Sequence, residues 1–112
     1  MANDFGGGIL RGQATATSTS NVELIAAQAT GVKTRITDIS ITNDGATDTH
    51  VIVKDGTSEV FRYPAPANGG AIHPLQTPIE GTAATAINVA LADTLASGES
   101  VIVSATGYQH QP

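Results

Sequence analysis

Between Thr85 and Ala105 the apolar side chains fall on every second residue. Ile87, Val89 and Leu91 alternate with Asn88 and Ala90; after Ala96-Ser97-Gly98, Val101, Val103 and Ala105 alternate again. A period of two puts one face of an extended chain on a core and the other in solvent, so these runs predict two sequential antiparallel strands. The same signal recurs upstream. Thr34 to Asn43 is rich in β-branched residues, with Ile39 and Ile41 in phase and Ile36 out of phase, which predicts a strand with a bulge between Ile36 and Ile39. Thr49 to Lys54 and Ser58 to Tyr63 flank Asp55-Gly56, a hairpin dipeptide. A two-residue loop there is expected to set Val51 against Val60, and a three-residue loop to move that partner by one. Val22 to Ala27 reads as a short strand before Gly31, and residues 13–20 as a weak strand or extended connector.

Roughly seven to nine short strands and no long helical period predict an all-β chain, a single antiparallel β-sandwich or jelly-roll-like domain. At 112 residues the chain holds one core of ordinary size. Two segments break the pattern. Residues 1–12 carry four glycines with Phe5, Ile9, Leu10 and Arg11 and read as a flexible N-terminal arm, leaving 13–112 as the sandwich domain. Residues 64–80 carry Pro64, Pro66, Pro74 and Pro78 and read as a long loop with one short strand near Ala71 to Leu75. Residues 107–112 read as a polar tail.

Composition excludes several chemistries. Five Lys and Arg against ten Asp and Glu give a net charge of -5, too little and too scattered a positive charge to neutralise phosphates, so no nucleic-acid partner is expected. There is no cysteine, hence no disulfide, thiolate metal site or cysteine nucleophile. No basic, apolar leader opens the chain and no apolar run approaches a membrane span, so synthesis in a cytoplasm and no membrane partner are expected. His50, His73 and His110 lack the spacing of metal ligands on one element. Gly6-Gly7-Gly8-Ile9-Leu10-Arg11 lacks the preceding strand and closing Lys-Ser/Thr of a phosphate loop. The residues Asn43 to Asp48 lack the EF-hand spacing. Ser58 and Ser100 follow Gly-x but have Val60 and Ile102 where a nucleophile elbow needs glycine. No catalytic residue, metal or cofactor is expected, and the chain is not expected to be an enzyme.

What remains is adhesion. Phe61, Tyr63, Pro64, Pro66, Ile72, His73 and Leu75 gather bulky groups at one strand end and the following segment. With Phe5, Ile9, Leu10 and Arg11 they form two sticky elements that predict a partner interface. Phe61 and Tyr63, two apart on one strand, also suit a carbohydrate-stacking platform, so a glycan- or receptor-binding β-sandwich module is the alternative.

The order Val22-Glu23-Leu24-Ile25-Ala26-Ala27, Thr30-Gly31-Val32-Lys33, Ile36 to Asn43, Val51 to Gly56 and Ser100 to Tyr108 resembles the small β-sandwich proteins encoded near head genes of tailed phages. In size the chain is similar to the capsid decoration (cement or staple) proteins of short-tailed phages of the epsilon-fifteen type. The resemblance implies a structural virion protein on the outer surface of the shell, bound to the major capsid protein and stapling neighbouring capsomers. It also implies a dimer or trimer on the shell's symmetry axes.

Overall fold

The computed structural model describes residues 8–111. It contains eight strands: β1 (Ile9–Ala16), β2 (Val22–Ile25), β3 (Lys33–Asn43), β4 (Thr49–Asp55), β5 (Ser58–Ala65), β6 (Gly69–Glu80), β7 (Ile87–Leu91) and β8 (Val101–His110). They form two four-stranded antiparallel sheets, ordered β1-β8-β3-β6 and β2-β7-β4-β5. First pairs with last, second with seventh, third with sixth and fourth with fifth. This is one long hairpin rolled onto itself, the strand order of an eight-stranded jelly roll. The β-sandwich expected from the alternation is therefore the observed architecture.

Inward side chains make the core. Ile36, Ile39 and Ile41 of β3, Val51 and Val53 of β4, Ile87, Val89 and Leu91 of β7, and Val101 and Val103 of β8 are all at most 1% exposed. Alternation supplies them from both sheets, as a sandwich requires. Two glycines permit close crossings. A Cβ on Gly12 would lie 1.9 Å from the Leu24 carbonyl oxygen, where β1 passes β2, and one on Gly107 would lie 1.9 Å from the Arg35 carbonyl oxygen. The bulge expected in β3 is present: Ile36 opposes Gly107 and Asp38 opposes Thr106, with Thr37 between them.

Four expectations need correcting. Ile9 to Gly12, read with the arm, are the first half of β1 and pair with Tyr108 to Ala105 of β8. No structural break therefore falls at residue 12, and the arm expected before Gly8 lies outside the described residues. The proline-rich segment is mostly strand, not loop. β5 and β6 are sheet edges, where one side of the strand needs no ladder donor, so Pro64, Pro74 and Pro78 are tolerated. In β6 the four residues Leu75 to Pro78 lie between the partners of Asp38 and Ile36, a wide bulge that absorbs the second proline. The polar tail is likewise the end of β8, which pairs with β3 as far as His110. Finally, Val51 opposes Tyr63 rather than Val60. Asp55 pairs with Ser58 across a two-residue turn, which alone sets Val51 against Arg62 and not Val60, and the extra residue Val60 between Glu59 and Phe61 moves the partner on to Tyr63.

Candidate interaction surface

Cross-strand register decides which side chains share the outer face of the β1-β8-β3-β6 sheet. Ala14 and Ala16 point inward, so Ile9, Arg11, Gln13 and Thr15 point outward. On β6, Ile72 opposes Ser40, whose neighbours Ile39 and Ile41 are buried, so Ile72 also points outward. Ile9 is 78% and Ile72 75% exposed, the two most exposed large apolar side chains among the described residues. Their strands lie three spacings apart, roughly 14 Å across the sheet, and Ile72 is level with Gln13, four residues along β1 from Ile9. Between them the face is lined by small hydroxyl residues. Ser40, Ser104 and Thr106, with Asp38 and Ile72, border a shallow depression. Arg11 and Asp38 lie in one row on either side of Thr106.

One end of this face is charged. Glu80 Oε2 accepts from Arg35 Nε at 2.5 Å and lies 2.8 Å from His110 Nδ1, and Lys33 Nζ lies 3.6 Å from Glu80 Oε1. The Arg35 guanidinium and the His110 ring hold the Glu80 carboxyl down at about 2. Arg35 Nη1 also donates to the Tyr108 hydroxyl at 3.4 Å. Each of β3, β6 and β8 supplies part of the cluster, so it ties three strand ends together. About a third of each side chain remains exposed, and such pairs contribute little individually.

A second apolar surface follows the open edge where β5 meets β6. Val51 and Val53 face the core, so their partners Tyr63 and Phe61 point to the same side of the sheet, beyond the cover of the opposite layer. The Phe61 and Tyr63 rings stack with centroids 6.0 Å apart and 12° between planes. Tyr63 in turn stacks on His73 of β6, with centroids 4.5 Å apart. Burial pushes the Tyr63 hydroxyl pKa up. His73 Nε2 is buried without a hydrogen-bond partner, consistent with its position in an apolar seam. Phe61 stays 48% exposed at the outer end of this stack. Pro64 and Pro66 are also exposed, but Pro64, opposite exposed His50, faces the other side of β5.

The sequence-predicted interface residues thus separate. Ile9, Arg11 and Ile72 share the sheet face; Phe61, Tyr63 and His73 follow the edge, with Tyr63 partly buried against the core; Pro64 opposes exposed His50 on the outer face of the other sheet, and Pro66 follows β5. Leu10 and Leu75 are half-buried and pack against the core. Phe5 lies outside the described residues. Sequence reasoning missed the Glu80 cluster and Tyr108. The signal was the alternation of β8, which runs past Ala105 through Gly107. Among the described residues no group of three or more metal-ligating side chains converges, and no helix is long and apolar enough to cross a membrane.

No protein-family model matches the chain, and no curated protein matches it. Among solved structures, a chain of the structure described as "Cyanophage Pam1 capsid asymmetric unit" is similar, with a TM-score of 0.57 and 20% sequence identity. The alignment covers 96% of this chain and 89% of that chain. At this identity the likeness shows a shared fold, which extends over nearly all of both chains.

Proposed function

We propose that this protein is a structural component of a phage virion: a decoration or cement protein that binds the outer surface of the shell formed by the major capsid protein and staples neighbouring capsomers. The observation that carries the reading is the placing of Ile9 and Ile72, both three-quarters or more exposed, on the outer face of one sheet, on its two edge strands, beside an exposed aromatic edge. A small acidic domain gains nothing in its own core from such residues, whereas a contact surface does. The end-to-end likeness to a chain from a phage capsid asymmetric unit supports the same direction. In this role the protein adds contact area across seams that internal pressure pulls apart. A dimer or trimer matches the symmetry of such seams. The carbohydrate-binding alternative has less support, because Tyr63 is already stacked on His73 and its ring is not free to receive a sugar.

The test is co-sedimentation of the purified protein with shells that lack it. Saturable binding, with release of the shell's contents shifted to higher temperature, supports the reading. No binding to shells from the source phage, together with a defined glycan ligand on an array, refutes it.

A further inference from the structure

Three places in the described chain put glycine directly after an aspartate or asparagine: Asp44-Gly45, Asp55-Gly56 and Asn68-Gly69. Such dipeptides are chemically fragile, because a residue without a Cβ lets its amide nitrogen reach the preceding side-chain carbonyl carbon. The fold protects two of them. Gly45 N donates to Asn43 Oδ1 at 2.9 Å, within a loop that the buried Asn43 organises. Gly56 N donates to the Ala86 carbonyl at 2.9 Å, and the Asp55 carboxylate is held by Thr82 N and Oγ1 at 2.6 to 3.1 Å. Asn68 differs. It is exposed, with φ 55°, and its side chain makes no hydrogen bond among the described residues. Gly69 is the first residue of β6 and the last rung of its ladder with β3, opposite Asn43. Terminal rungs open most easily.

We propose that Asn68 is a site of spontaneous deamidation. Gly69 N gives its proton to solvent base and attacks Asn68 Cγ. The Cγ–Nδ2 bond breaks, and ammonia leaves with a proton from solvent. Water then opens the five-membered succinimide at either carbonyl. One product is aspartate; the other is isoaspartate, in which the main chain runs through the former side chain. Either product changes the surroundings. Asn68 N donates to the Gly45 carbonyl at 2.9 Å and Ala67 N to Asp48 Oδ1 at 2.7 Å, so the residue is fastened on its N-terminal side. Isoaspartate adds a methylene between that fastening and the Gly69–Asn43 rung, so one of the two must release. The new carboxylate also joins Asp44, Asp48 and Glu99, the last of which accepts from Ala46 N and Thr47 Oγ1. No Lys or Arg lies on these loops to offset it.

The full-length folded protein is aged in mildly alkaline buffer and then cleaved after glutamate. This separates Asn68 (residues 60–80) from Asn43 (24–59) and Asn88 (81–99). The expected result is a one-dalton gain in the 60–80 peptide before any other, partly as isoaspartate detected by methyltransferase labelling. The gain is expected to be faster at higher pH and several-fold slower in Gly69→Ala. A Cβ there would lie 3.3 Å from its nearest neighbour, the Pro66 carbonyl oxygen, so that variant is expected to fold. Asn68→Gln, which leaves Gly69 intact, is the second test should Gly69→Ala lose its circular dichroism. A first gain in the peptide holding Asn21, Asn43 or Asn88 overturns the proposal. So does an unchanged Asn68 in folded protein alongside rapid conversion in denaturant, since the fold would then be shielding it.

Discussion

Replacing Ile72 by serine separates an adhesive side chain from a structural one. Ile72 is 75% exposed, so only about a quarter of its surface is removed from water by the fold. Full burial of an isoleucine contributes about 1.5–3 kcal/mol. The change should therefore cost the folded chain about 0.5 kcal/mol, the size of an ordinary surface substitution. The remaining three-quarters, about 1–2 kcal/mol, is available only when a partner covers the face. Its loss should weaken shell binding by about 5- to 30-fold, at about 1.4 kcal/mol per factor of ten. Ile39→Ala is the opposite control. Ile39 is fully buried opposite His73, and truncating such a residue costs about 2–5 kcal/mol of stability. The assays are thermal denaturation and titration of each variant against undecorated shells. The reasoning fails if Ile72→Ser lowers the melting temperature as far as Ile39→Ala does. It also fails if Ile72→Ser binds shells as tightly as the parent chain.

Deleting residues 1–12 removes half of β1 and its pairing with β8, and should lower the melting temperature sharply. Gly107→Val should prevent folding, since even a Cβ at that position overlaps the Arg35 carbonyl; circular dichroism would reveal the loss of strand. Leu75→Asp should destabilise the domain because Leu75 packs against the core, whereas Phe61→Ser, with 48% of Phe61 already exposed, should fold and bind less tightly. The Glu80 carboxyl is held below its ordinary pKa of 4.5, at about 2. Its stabilising effect is present above pH 4.5 and is lost as pH falls toward 2. Solvent screening limits it to about 1 kcal/mol or less. Glu80→Gln should therefore flatten the acid side of the stability–pH profile and lower stability slightly at neutral pH.

Local pattern made much of the sandwich readable in advance. The phase slip from Ile36 to Ile39 gave away the β3 bulge, and the alternation of Ile87, Val89 and Leu91 set the inward face of β7. The prolines misled for a physical reason. They oppose strand formation only where both sides of a strand must donate, and β5 and β6 lie at edges, which is a fact of topology. The glycines before Ile9 concealed a strand in a similar way. Gly12 reads as looseness until β2 is seen crossing it at van der Waals distance. The exposed apolar side chains Ile9, Phe61 and Ile72 could be named from the sequence, but not how they group into surfaces. Ile9 and Ile72 share a face only because β1, β8, β3 and β6 pair in that order, and no local signal records such distant pairings. Leu10 and Leu75 looked equally sticky, yet their position in the pleat turns them toward the core.

Adhesion to a viral shell is tested most directly by an electron cryo-microscopy reconstruction of the virion that carries this protein. The expected density is an eight-stranded sandwich on the outside of the shell, over a seam between capsomers, with Ile72 and either Ile9 or Phe61 buried against a neighbouring subunit. A shell with no such density, or a sandwich seated with both isoleucines and Phe61 open to solvent, would contradict the account.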